Sequence, residues 1–387
     1  MPGTDVDVAV IGAGLMGAAT AWALARRGVS VALFEARTPG HHEGSSHGSA
    51  RIFRRAYSDA LYVAMAGRAR ELWQELEIAA DEVVMQQTGG IDHGRRRDPR
   101  ALGEVLRAAG VPAALLNRRE ANLRWPGIAF TGPVLFHAEA GVIDAERAVV
   151  AMVRCAVQGG AEWHAQTPVR AIERVAAGVR LHLPDRSVLA TTTVVAAGAW
   201  TGPLLADLVE LPRLTVTQQQ IFHFPRRDPG AAWPIFVHDD TLSVYGLPGG
   251  RAAAAGGVFP AGIKVAEHDR GTVTTADTRT GIVDDAARKR LIGYVERNLP
   301  GLEPVPYAEA TCLYTWTDNA DFLVDRVGPI IVCSPCSGHG AKFAPLIGEL
   351  AADLALGRAA RSPRAHSPLA YTALTRFALA AHRSHTP

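Results

Sequence analysis

The chain has 387 residues, long for a single core, and at ~100–200 residues per domain the expectation is two domains. An apolar fraction of 48% and a charged fraction of 20% are ordinary for a globular protein and exclude global disorder, collagen-like repeats and coiled coil. Forty Lys and Arg against 38 Asp and Glu leave a formal charge of +2, which gives no reason to expect nucleic acid or an anionic membrane as a partner.

Val6 to Ile11 is an almost continuous apolar run, as a parallel strand buried on both faces requires. Gly12-Ala13-Gly14-Leu15-Met16-Gly17 follows, then an alanine-rich helical stretch to Arg27, with Gly28 suited to the C′ position. Val29 to Phe34 reads as the second strand, ending at Glu35. Eighteen residues from Val8 to Ala25 carry no charge, the length of a signal-peptide core or a short span. The preceding segment has two aspartates and no Lys or Arg, however, and the run contains three glycines in its first ten residues; the expectation is a soluble protein with no membrane partner.

Ser58 to Glu77 is expected as a helix capped by Ser58 or Asp59, with Leu61, Met65, Leu72 and Leu76 on one face. The Arg-rich stretch Gly94 to Arg100 is short, isolated and broken by Pro99, and reads as a solvated loop. Asp144 caps a helix ending near Gly159-Gly160. Val169 to Ile172, Val179 to Leu183 and Ser187 to Leu189 read as a meander, and Thr193 to Ala197 as another buried strand ending in Gly198-Ala199-Trp200. Leu211 to Tyr307 reads as a mostly antiparallel sheet with one helix, Asp284 to Asn298. The last confident element is a helix from about Lys342 to Leu356, stopped by Gly357; beyond Arg358 only Tyr371 and Leu374 to Phe377 offer docking points.

Gly12, Gly14 and Gly17 between strand and helix form G-x-G-x-x-G: a tight turn, close approach of a pyrophosphate to backbone, and close helix–strand packing. The helix N-terminus offers free N–H groups to phosphate, and Glu35, eighteen residues after Gly17, stands where a carboxylate binds ribose hydroxyls. The motif does not separate NAD from FAD. The small, polar segment Gly44 to Arg51, with Ser46 and His47, could hydrogen-bond along an extended cofactor, whereas an NAD enzyme would continue with another βα unit. Ser337-Gly338-His339-Gly340-Ala341-Lys342-Phe343 leads into the last helix, where the dipole and Lys342 would stabilise negative charge on a reduced flavin.

These pieces resemble the monomeric sarcosine oxidase and N-methyltryptophan oxidase group of flavin-dependent amine oxidases, from Gly12 to about Phe377. The likeness is carried by the glycine triplet with Glu35, Ser46-His47-Gly48 to Tyr57, Gly262-Ile263-Lys264 with His268, Cys312-Leu313-Tyr314-Thr315, and Ser337 to Lys342. It implies FAD bound covalently through Cys312, with Lys264 promoting reaction with oxygen and Arg51 beside the flavin ring. It further implies that Arg54 and Lys342 hold a substrate carboxylate, that His268 and Tyr314 line the amine pocket, with Tyr57 a weaker candidate, and that Val169, Gly198, Gly338 and Gly340 contact the cofactor. The fold implied is α/β (α+β): a Rossmann-like FAD-binding domain from 1–85, 141–212 and 318–387, and a mostly antiparallel-sheet catalytic domain from 86–140 and 213–317. Ala341 stands where the group commonly has phenylalanine, and Pro335-Cys336 where Gly-Phe is more usual, so the pocket beside Lys342 is expected to be wider; Thr217 to Tyr245 carries no transferable motif.

The expected activity is oxidation of an N-methyl or cyclic α-amino acid to an imine, with O2 reduced to H2O2. An Amadori-type fructosyl amino acid oxidase, a dehydrogenase with another electron acceptor and a non-catalytic dinucleotide-binding module remain open. Four cysteines are too few for a disulfide scaffold and point to a reducing cytoplasm. Cys333-x-x-Cys336 lacks a second such pair, so it reads as structural thiols, Cys155 reads as core, and no metal is expected. A hydrolase built on Cys312 and His339 is conceivable. The expected partners are a small amine and O2, and the expected state is a monomer or small homo-oligomer.

Overall fold

The apolar run Val6–Ile11 lies at the centre of a parallel sheet with spatial order Glu162–His164, Val31–Phe34, Val6–Ile11, Ser187–Val195 and Ile330–Ser334. The computed structural model describes residues 4–38, 40–48, 50–249, 262–358 and 367–383; Ser49 of the expected cofactor loop and the first residues past Arg358 lie outside the described residues. The central strands are buried on both faces, which is why they read as continuous apolar runs. Helix Leu15–Ala25 crosses between the first two strands, and its small residues close against helices Ala60–Ala80, Ala145–Gln158 and Ala344–Ala355 in one apolar cluster. The uncharged run from Val8 to Ala25 is therefore a strand, a turn and a core helix. Among the described residues no helix is long and apolar enough to cross a membrane.

Caps fall where short polar side chains precede apolar periodicity. Asp59 accepts from Leu61 N, Asp144 from Arg147 N and Asp284 from Ala286 N. The strands expected separately at Ser187 to Leu189 and Thr193 to Ala197 are one strand, Ser187–Val195. One edge pairs with Val6–Ile11; the other is shared, antiparallel to Gly178–His182 at its start and parallel to Ile330–Ser334 at its end. Thr191 and Thr192 fall between the two expected strands, and their β-branched side chains suit an extended backbone.

The last helix also begins later than Lys342. Gly340–Phe343 is a 3-10 turn, and the α-helix Ala344–Ala355 carries Pro345 in its first turn, where a missing N–H is unneeded. The helix N-terminus expected at Ser337 to Lys342 is thus preceded by this turn, and Ser337 to Lys342 lie before the α-helix.

A second sheet of nine strands is antiparallel between all neighbours except Ile235–Asp239 beside Gly90–His93. One strand in from its edge is Thr215–Phe224, paired along its length with Ala308–Trp316 and on the other side with Ile263–Glu267 and Thr272–Thr274. The Arg-rich segment is only partly the solvated loop expected. Arg95 and Arg96 are exposed and paired with Asp240 and Asp239, but Asp98 caps a helix Pro99–Ala108 that starts inside the segment. Arg97 turns inward to buried Asp92. At the far end, helix Pro368–Arg376 buries Leu374 and is followed by buried Phe377, while Arg376 pairs with Asp59 and Asp321.

Candidate active site

A cavity of about 1420 Å³ is lined by residues of both large sheets, above the ~300–1,000 Å³ of ordinary ligand pockets. At one end the chain leaves Val6–Ile11 through Gly12 at φ 94°, a left-handed conformation that favours glycine. A Cβ on Gly17 would lie 1.7 Å from the Gly12 carbonyl oxygen, so helix and turn close only over a bare glycine. Gly17 packs behind the cavity, whereas Gly12, Gly14, Glu35, Ser46, Val169 and Gly198 line it.

The Glu35 carboxylate is fixed at the end of its strand: Oε2 accepts from Ala13 N and Oε1 from Arg37 N, both at 2.9 Å. Ser46 Oγ accepts from Leu15 N at 3.0 Å, at the helix start. Arg51 stitches the polar loop together by donating to the carbonyls of Ser45, His47 and Ala50 at 2.7–2.9 Å. His47 is buried beside Arg51, and burial first, then that charge, lower its pKa to about 3, so it is neutral.

Further along, strand alternation presents Cys312 and Tyr314 on one face of Ala308–Trp316, and Ile263–Glu267, on the other side of Thr215–Phe224, presents Lys264. Lys264 is only 4% exposed, and its Nζ donates to Ala50 O at 3.1 Å. It is not the solvated strand lysine that its position alone would suggest; burial, with help from Arg51, lowers its pKa to about 7. Burial pushes the Cys312 thiol up, although Arg51 and Lys264 oppose the rise. That direction counts against a Cys312 thiolate hydrolase. Tyr314 Oη lies 3.2 Å from Tyr245 Oη, and His268, Tyr314 and Trp316 have ring centroids within 5.7–6.2 Å of one another. His268 is held neutral, its pKa lowered to about 4 by burial and then by Arg54.

Two cations close the same region. Arg54 donates to the Ala56 carbonyl and stacks over Tyr57, with Cζ 4.3 Å from the ring centroid. Lys342 Nζ donates to His339 O at 2.6 Å, while its own carbonyl accepts from Trp73 Nε1 at 2.9 Å. Burial, then Arg54, lowers the Lys342 pKa well below its ordinary value. Among the described residues neither cation has a carboxylate partner. Gly338 and Gly340 shape the backbone on which Lys342 rides, and both line the cavity, as does Ala341.

Apart from Gly17 and Tyr57, the candidate residues meet at one cavity. Tyr57 is a correction: it backs Arg54 and Lys342 and bonds His339 Nδ1 through its hydroxyl at 3.3 Å, without lining the cavity. Tyr245 and Arg97 line it without having been legible as site residues. A hydroxyl in an alternating strand gives no local signal, and Arg97 was masked by the two exposed arginines before it. Cys333, buried in its strand, and Cys336 both line the cavity, and both are free thiols.

An FAD-sized guest fits what is present. The turn after the first strand is pinned beside a fixed carboxylate, the cavity exceeds a substrate pocket, and three of the residues lining it carry a buried polar atom without a hydrogen-bond partner: His47 Nε2, Thr315 Oγ1 and Ser334 Oγ.

A family model described as FAD-dependent oxidoreductase (DAO) matches residues 7–354. The monomeric sarcosine oxidase of Streptomyces avermitilis is 34% identical over 366 residues, covering 90% of this chain and 93% of its own. The N-methyl-L-tryptophan oxidase of Yersinia pestis (strain Pestoides F) is 29% identical over 377 residues, covering 90% and 94%. Among solved structures, the open form of NikD, an unusual amino acid oxidase essential for nikkomycin biosynthesis, shares the fold, with a TM-score of 0.82 over 93% of this chain and 96% of that one at 22% identity. Sheet order, glycine turn and cavity agree with that match, and the chain belongs to the FAD-dependent oxidoreductase family acting on amine or amino acid substrates.

Proposed function

We propose that the protein oxidises a secondary amine, an N-methyl or cyclic α-amino acid, to the imine, with O2 reduced to H2O2. The observation that carries this reading is the pair Arg54 and Lys342, a half-buried and a buried basic side chain without a carboxylate partner among the described residues, in the same cavity as Lys264 and Cys312. Burying such charges unpaired is unfavourable unless a ligand supplies the anion. An α-carboxylate does so through charge-assisted hydrogen bonds and fixes the rest of the amine by the same contact.

When bound, FAD supplies the two-electron acceptor for the amine and passes the electrons to oxygen. Gly12, Gly14, Glu35, Ser46, His47, Arg51, Val169, Gly198, Gly338 and Gly340 would hold it, with a thioether at Cys312, and segments 1–85, 141–212 and 318–387 would form its domain. The substrate amine must lose its extra proton before it gives up a hydride. Neutral His268 adds no positive charge against the incoming group, and the un-ionised Tyr245–Tyr314 pair adds no negative charge that would hold the amine protonated. Lys264, fixed by Ala50 O, offers the cation that favours negative charge on reducing oxygen.

The test is a peroxide-coupled screen of sarcosine, N-methyl amino acids, cyclic imino acids and fructosyl amino acids. Turnover with N-methyl or cyclic α-amino acids is the expected result. Preference for fructosyl amino acids would move the reading to an Amadori oxidase, for which small Ala341 leaves room. Reduction of artificial acceptors without peroxide would move it to a dehydrogenase.

A further inference from the structure

Arg97 lines the cavity yet has no part in the chemistry above. Its guanidinium is fixed on two sides: Nε donates to Asp92 Oδ1 at 2.6 Å and Nη2 to Ala56 O at 2.9 Å. Asp92 is itself held, because Oδ2 lies 3.1 Å from His137 Nε2 and both side chains are fully buried. His137 and Asp92 thus orient Arg97 as an outer brace orients a ligand. Nη1 has no acceptor among the described residues, so a free guanidinium edge is left at the cavity wall.

The same Ala56 carbonyl also accepts from Arg54, which puts the two guanidinium groups side by side. Among the described residues Asp92 is the carboxylate paired within this group of three basic side chains, Arg54, Arg97 and Lys342. One substrate carboxylate still leaves an excess positive charge in a low-dielectric site. The charges are felt together, since Arg54, Lys342 and Arg97 all depress the ionisation of His268. A clamp on Ala56 alone would not need a cation, because a neutral donor could serve that carbonyl without repelling Arg54.

We propose that Arg97 is a specificity residue that binds a second anionic group on the substrate, so that the preferred amine is an acidic one: an N-substituted amino acid carrying a carboxylate beyond its α-carboxylate. The α-carboxylate goes to Arg54 and Lys342, and the distal one to the free edge of Arg97. The proposal rests on the amine-oxidase reading of the site and names its substrate class.

The experiment uses the purified holoprotein and two amines differing by one carboxylate, N-methyl-L-alanine and N-methyl-L-aspartate, with N-methyl-L-glutamate as a longer reach. The wild type should prefer an acidic amine in kcat/KM by about tenfold or more, as one charge-assisted contact requires. Arg97→Gln should lower kcat/KM for that amine by about tenfold more than for N-methyl-L-alanine. Because Arg97→Gln leaves Asp92 buried without its guanidinium, Arg97→Lys and the double variant Asp92→Asn/Arg97→Gln accompany it. A second readout needs no turnover: calorimetric titration with glutarate and with butyrate should show tighter binding of glutarate to the wild type and no such difference in Arg97→Gln. No wild-type preference for glutarate or the acidic amines, or equal loss for both classes in the variants, would overturn the proposal. If no amine is oxidised at all, the amine-oxidase reading fails, and the titration still decides the role of Arg97.

Discussion

Arg54→Met separates a residue kept for its ligand from one kept for the fold. Among the described residues the Arg54 guanidinium has one protein acceptor, the Ala56 carbonyl, and it lies beside the cation of Arg97. A substrate carboxylate would add two charge-assisted hydrogen bonds at ~1.5–3 kcal/mol each, about 3–6 kcal/mol together. At ~1.4 kcal/mol per factor of ten, the variant should lose about 10²–10⁴ in kcat/KM for its best amine. Folding stability should move the other way or not at all, since a cation lacking a carboxylate partner is removed and its repulsion with Arg97 relieved. Anaerobic rapid mixing over a range of amine concentrations gives the first quantity, and scanning calorimetry of the same preparations gives the second. A loss of tenfold or less, or a clear fall in melting temperature, would refute the reasoning and make Arg54 a structural residue.

Gly17→Ala should yield protein with little bound flavin, because its Cβ would meet the Gly12 carbonyl oxygen at 1.7 Å and force the turn open; the ratio of flavin to protein absorbance reads this, and a full complement would contradict it. For Cys312, acid precipitation is the assay: the yellow chromophore should stay with wild-type protein and wash off Cys312→Ala. Lys264→Met should slow reoxidation by oxygen while anaerobic reduction by amine survives, and equal loss of both steps would rule out the assigned role. The pH dependence has a definite sign. Lys264 carries its proton below about 7 and loses it above, so the wild-type oxygen step should slow as pH rises through that region. Negative charge arriving beside it during turnover moves the midpoint upward, and Lys264→Met should flatten the profile.

The cofactor half of this site was legible in the sequence because its chemistry is local. A glycine triplet between an apolar run and an alanine-rich helix, with an acid after the next run, defines a turn, a helix start and a strand end within 35 residues. The cap at Asp144 was readable for the same reason, as was Asp59 beside Ser58, while Asp284, read as the first residue of its helix, proves to be the cap. What escaped was set by distant chain. Ser187–Val195 is one strand because both its edges find partners, including one well over a hundred residues later. Arg97 faces the cavity because Asp92 and Ala56 take its donors, whereas Arg95 and Arg96 find Asp240 and Asp239 outside. Tyr57 followed the pattern of a pocket residue, yet stacking with Arg54 and the bond to His339 draw it behind the wall.

The most direct measurement is a single turnover. The purified holoprotein is mixed without oxygen with an excess of its best N-methyl or cyclic α-amino acid, the amine is removed, and air is admitted. The account predicts full bleaching of the flavin band, one imine-derived product per flavin, and one H2O2 released as the yellow colour returns. A band that no secondary amine bleaches, or one that bleaches and returns without peroxide, would contradict it.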